Sequence, residues 1–136
     1  MDTSNSGRLG GNGVCKLLFW NIHGQVTKTV GNKFTDVEFL KMCNDYDILG
    51  LAELHTDSKP SIKGFTLIKD KIRKKCHKGP KIAGGIAVFA KKDIAHMVKY
   101  IPSDHEDSIW VKLSKEDTGE NNDLYLGTCY VSPTNR

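Results

Sequence analysis

The sequence predicts a strand-rich, layered α/β domain with one clear helix. Three observations predict it. Two apolar runs flank a single stretch of helical periodicity, in the order strand, helix, strand. Beyond residue 55 the helical period disappears, and short apolar or alternating runs separated by Gly, Asp and Asn take over. Several of those runs are apolar at every position, the pattern of strands covered on both faces.

The chain has 136 residues, 38% hydrophobic and 26% charged, which suits one globular domain. No apolar run approaches the roughly 20 residues of a membrane helix. Residues 1–14 are rich in Gly, Ser and Asn, with no apolar segment of the secretory kind, and read as a disordered tail outside the domain of 15–136. The four cysteines, Cys15, Cys43, Cys76 and Cys129, are scattered without a CxxC pair. Free thiols and an intracellular setting, nuclear or cytoplasmic, are the expectation, and a zinc cluster is not. The +4 net charge is concentrated: residues 69–81 hold seven Lys/Arg and one Asp. That segment carries +6 and leaves the remainder at −2. Such a patch favours contact with a polyanion, DNA or RNA, through counterion release, though a solvated loop has the same composition.

In chain order, residues 16–21 (Lys16-Leu17-Leu18-Phe19-Trp20-Asn21) form the first strand, ending in a polar turn with His23, Gly24 and Gln25. Residues 27–33 read as loop. Thr35 is the expected helix cap, with Glu38 three residues on as its capping-box partner. The helix then runs to about Tyr46, with Val37, Leu40 and Cys43 at helical spacing and Phe39, Met42 and Tyr46 widening the face. Ile48-Leu49-Gly50-Leu51-Ala52 is the next strand, giving a right-handed βαβ unit with two parallel strands. Residues 64–68 and 83–90 are further strands. Residues 94–101 are expected to pair with the latter as a hairpin across Lys91-Lys92-Asp93. Residues 108–113 alternate as a half-buried strand, 116–122 is a polar turn with Gly119, and 123–131 is the last strand, stopped by Pro133. One helix is too little to cover strands apolar on both faces. A homodimer or a partner chain is the expected cover for the open face.

The first two strands each run out onto a polar group, Asn21 beside Gly24 and Glu53 before Leu54-His55. The carboxyl rim of an α/β sheet is where such proteins place their chemistry. An isolated Glu at a strand end is otherwise an ordinary solvated residue.

Four motifs in order, Phe19-Trp20-Asn21-Ile22-His23-Gly24, Leu51-Ala52-Glu53-Leu54-His55, Gly84-Gly85-Ile86-Ala87-Val88-Phe89 and Gly127-Thr128-Cys129-Tyr130-Val131-Ser132-Pro133, resemble those of the endonuclease/exonuclease/phosphatase superfamily. They are most like the apurinic-type endonuclease domain of non-LTR retrotransposons, over about residues 16–133. The resemblance implies a two-sheet α/β sandwich of the DNase-I-like type that cleaves phosphodiesters with Mg²⁺ or Mn²⁺. It implies Glu53 as a metal ligand, Asn21 beside the metal, and Tyr130 as a catalytic contact to the scissile phosphate. Mg²⁺ prefers carboxylate and water oxygens, with only one or two protein carboxylates. His23 and His55 flank the site and could contact phosphate; a solvated or hydrogen-bonded structural histidine is the other reading of each.

The sequence also departs from that pattern. Ala52 and Leu54 stand where the family has Gln and a small hydroxyl residue. The family's Asp-x-Asn element, later Asp and terminal Ser-Asp-His follow the Tyr130 strand there and have no counterpart here. Ser103-Asp104-His105 spells the last of these but precedes Trp110, so it reads as coincidence. The expectation is therefore an incomplete, N-terminal portion of the sandwich, inactive or very weak as a hydrolase because no base is placed to activate water. The alternative is a non-catalytic module that binds nucleic acid or protein. Its basic segment would supply Lys71, Arg73, Lys74, Lys75, Lys78 and Lys81.

Overall fold

The computed structural model describes residues 15–72 and 84–131. The two apolar runs become β1 (Leu17–Asn21) and β4 (Ile48–Ala52), paired in parallel from Leu17↔Ile48 to Asn21↔Ala52. Between them lie β2 (Val26–Thr27) and β3 (Gly31–Asn32), a two-stranded ribbon in the stretch read as loop, then a 3₁₀ turn (Lys33–Thr35) and α1 (Val37–Cys43). The helix is capped by Asp36, not Thr35. The Asp36 carboxylate accepts from the Phe39 amide at 3.0 Å, and Thr35 belongs to the 3₁₀ turn, itself capped by Asn32. Asp36 sits one residue nearer the first free amides, so Glu38 is not in capping-box position. The helix also ends at Cys43, short of Tyr46, with Asn44 as its C-cap.

Strands β5 (Phe65–Lys71) and β6 (Ile86–Lys91) complete a mixed sheet of order β1-β4-β6-β5, with β6 antiparallel to both neighbours. β5 is longer than its apolar part suggests and carries an irregularity between Leu67 and Lys69. The expected hairpin after β6 does not form. The Ile94 amide closes a turn onto the Lys91 carbonyl, a 3₁₀ turn (Ala95–Met97) follows, and the chain leaves the sheet. β7 (Val98–Ile101) pairs instead with β8 (Ser108–Leu113), and β8 with β9 (Leu124–Cys129), as a separate antiparallel sheet. The polar link before β9 includes one helical turn, α2 (Lys115–Thr118), ended by Gly119 in the left-handed region.

Alternation along β4 and β6 assigns each residue to one of two cores. Leu49, Leu51, Ala87 and Phe89 pack with Phe34, Phe39 and Cys43 beneath the helix. Ile48, Ala52, Ile86, Val88 and Ala90 pack with Val98, Ile109, Val111 and Leu113 of the three-stranded sheet. Each such large side chain contributes about 1.5–3 kcal/mol when fully buried. The open face expected of the central sheet is therefore covered from within the chain. The residues read as a hairpin partner supply part of that cover.

Candidate cation and phosphate site

The parallel register sets Asn21 level with Ala52, so Glu53 is the next residue over the rim. Pairing continues past the strand ends. Ile22 donates to the Ala52 carbonyl at 3.0 Å, Gly24 to Glu53 at 2.7 Å and Gln25 to Leu54 at 2.8 Å. On the other side Leu54 and His55 donate to Gly85 and Gly84 at 3.2 and 2.9 Å. This double tether bends the backbone into the left-handed region at three non-glycine residues: His23 (φ 54°), Glu53 (φ 54°) and His55 (φ 53°). Few side-chain-bearing residues adopt it, and each costs about 1–3 kcal/mol when they do.

The bend gathers the side chains. The Asn21 amide nitrogen donates to one Glu53 carboxylate oxygen, and its Oδ1 accepts from the His23 backbone amide at 3.0 Å. The other carboxylate oxygen faces His55 Nε2 at 3.2 Å and His23 Nδ1 at 3.9 Å, ion pairs when the imidazoles carry a second proton. Glu53 is largely enclosed, with 18% of its side chain exposed, and His23 is open to solvent at 78%.

Tyr130 reaches the same place from the other sheet. It follows β9, its amide donates to the Asp107 carbonyl at 2.9 Å, and its side chain packs against the core between the sheets. Asn21, Glu53 and Tyr130 line one cleft of about 580 Å³ with Phe19, Gly50 and Thr128. Gly50 permits that approach. A Cβ there would lie 2.4 Å from Thr128 Oγ1 and 2.6 Å from the Phe19 ring, so only glycine lets β9 rest against β4 in this way.

No family model matches this chain, and neither does any curated protein or solved structure. What the site can do is therefore read from its own groups. Glu53 and Asn21 offer hard oxygen donors, a set that suits Mg²⁺ or Mn²⁺ when waters and a phosphate complete the shell. Among the described residues no group of three or more His, Cys, Asp or Glu is arranged to hold a metal.

Of the remaining sequence candidates, the described Lys71 lies apart from this cleft. The Lys71 ammonium donates to the Ser103 and His105 carbonyls at 2.9 and 2.6 Å, pinning the loop before β8. Arg73, Lys74, Lys75, Lys78 and Lys81 fall outside the described residues. Ser103-Asp104-His105 forms a local turn in which Ser103 Oγ accepts from the His105 amide. Among the described residues no helix is long and apolar enough to cross a membrane. Sequence reasoning missed Gly50 and Thr128. A glycine inside an apolar run was the available signal for close approach.

Proposed function

We propose that this chain is part of a DNase-I-like, divalent-metal-dependent phosphodiesterase domain, and that its 136 residues bind a cation and a phosphate without efficient hydrolysis. The reading is carried by the meeting of Asn21, Glu53 and Tyr130, from three distant segments, in one cleft between the sheets. Glu53 would hold Mg²⁺ or Mn²⁺, with Asn21 beside it. When bound, the cation would polarise the phosphoryl group and offset charge on the leaving oxygen. The chain's own residues act around that point. Asn21 orients the Glu53 carboxylate by donating to it, and His55 holds the second oxygen. The Tyr130 hydroxyl is a donor for a phosphate oxygen. The strained backbone fixes the carboxylate before any ligand arrives, which lowers the ordering cost of binding. His23 and His55 both face the Glu53 carboxylate, at 3.9 and 3.2 Å.

Mn²⁺ titration of the native chain and of Glu53→Gln tests the site. Weak saturable binding in the first and none in the second is expected, while equal binding would refute it. In a supercoiled-plasmid assay with Mg²⁺ the native chain is expected to leave the plasmid intact. Robust nicking, abolished by Glu53→Ala, would show that the chain is a competent enzyme.

A non-catalytic nucleic-acid module remains the second reading, favoured by the charge of residues 69–81 and by the described residues on either side of 73–83. Those two, Ile72 and Gly84, sit at this rim. Gly84 accepts from His55, and the Cα of Ile72 is 3.7 Å from a Cβ built on Gly85. Steep salt dependence of nucleic-acid binding, lost on charge reversal of Lys74 and Lys75, is its expected signature.

A further inference from the structure

The three-stranded sheet has a second face, turned away from the core. Register fixes its occupants. Ile109, Val111 and Leu113 point inward, so Trp110 and Lys112 point outward, and their cross-strand partners Ile101, Lys99, Gly127 and Tyr125 share that face. Two features set it apart from an ordinary solvated sheet.

The first is the placement of the rings. A Cβ on Gly127 would meet three atoms of the Trp110 six-membered ring at 2.7–2.8 Å. The indole therefore lies over bare backbone, made possible by glycine, with its outer surface open to solvent. Trp110 is 41% exposed and Tyr125 55%. They stand at the diagonal positions of an antiparallel pair, about 7–8 Å apart. The second feature is the charge. Lys99 and Lys112 are directly opposite one another, an arrangement that costs stability in a sheet. Among the described residues Lys112 has an acidic partner there, Asp123 at 3.5 Å, while the Lys99 ammonium donates to the His96 carbonyl. A polyanion laid across the pair would relieve that repulsion.

Flat aromatic surfaces beside lysines are what a single strand of nucleic acid needs: bases stack on the rings and phosphates meet the ammonium groups. Paired bases in a duplex cannot offer their faces to a ring. Among the described residues, the exposed groups of the outer face able to meet a ribose 2′-hydroxyl are the Tyr125 phenol and the two ammonium groups that the phosphates would occupy, and Ser108 is buried. We propose that this face, centred on Trp110 and Tyr125 with Lys99 and Lys112, is a stacking platform for single-stranded DNA. It adjoins the Glu53 cleft through Gly127, which also lines that cleft, but uses neither Glu53 nor Asn21.

The test is titration of the native chain with oligodeoxythymidylate, read by tryptophan fluorescence and by anisotropy of a labelled strand. Saturable binding with quenching is expected. Tyr125→Ala should weaken it about tenfold, in line with loss of one stacking partner. Lys99→Glu should weaken it and reduce its salt dependence. Trp110→Phe, which keeps a ring over Gly127, should retain much of the affinity while losing the quenching, with Trp20 as the residual fluorophore. Binding should persist in EDTA, which separates this proposal from the cation site; loss of binding in EDTA would overturn it. Binding that survives the Tyr125→Ala and Lys99→Glu changes but is lost on reversing Lys74 and Lys75 would overturn the platform. So would equal affinity for duplex, tighter binding to the matching oligoribonucleotide, or a dimer in sedimentation that buries Trp110.

Discussion

Replacing Gly50 by alanine tests how the cleft is assembled. The added methyl carbon would lie 2.4 Å from Thr128 Oγ1, where ordinary contact begins near 3.4 Å, so one side must retreat by about 1 Å. The Phe19 ring, 2.6 Å away, is half exposed and can swing out. Thr128 cannot: it is buried, short, and paired through the strand with Ile109. Overfilling a packed site of this kind costs about 1–3 kcal/mol. Removing a glycine from a strand returns about 0.5–1 kcal/mol. The net expectation is a loss of about 1–2 kcal/mol, a fall in Tm of about 3–7 °C for a chain of this size. Urea denaturation of Gly50→Ala, Thr128→Ala and the double variant measures it. Thr128→Ala removes the colliding oxygen, so the double variant should be less damaged than the two singles predict, by about 1 kcal/mol. A Gly50→Ala protein as stable as the native one, or strict additivity in the cycle, would refute the close approach of β9 to β4. Gly127→Ala is the control. Its Cβ would also meet a neighbour too close, at 2.7 Å, but that neighbour is the far end of a half-exposed indole, so the loss should be smaller.

Two further outcomes follow from the helix and the thiols. Asp36→Ala should cost about 1 kcal/mol through loss of the cap on the Phe39 amide, and Thr35→Ala much less, in the same denaturation assay. Burial raises the Cys43 thiol from 9.0 to about 11, so the folded state favours its protonated form. The stability this provides is present below pH 9 and lost as pH rises towards 11. Cys43→Ala should flatten that alkaline loss, and native Cys43 should react with a thiol reagent at pH 8 far more slowly than exposed Cys129.

The parts of the fold legible in the sequence were those where one pattern had one solution. The runs ending at Asn21 and Ala52, with a helix-period stretch between them, left only a parallel pair. Residues 94–101 shared the apolar character of a hairpin partner, but nothing local distinguishes a return to the same sheet from a step to the next. The Lys91-to-Ile94 turn and the 3₁₀ turn after it decided for the second. At the helix start Asn32, Thr35 and Asp36 are all capping residues, and the capping-box rule chose the wrong one. Asn21, Glu53 and Tyr130 were named by resemblance; that they share a cleft depends on how the sheets stack, a long-range fact. His23 and His55 were read as possible phosphate contacts or as solvated or hydrogen-bonded structural histidines. Their contact with Glu53 was hidden because extended backbone is the default expected of such residues.

Those left-handed positions have a consequence for how the protein responds to variation. At His23, Glu53 and His55 the main chain is shaped for glycine or asparagine, so a library sorted only for resistance to heat or protease should drift toward those two residues. A library sorted for ligand retention should keep the side chains found here. The two selections would diverge at these sites while agreeing across Leu49, Phe89 and Ile109, and the positions where they part would mark out the working edge of the molecule.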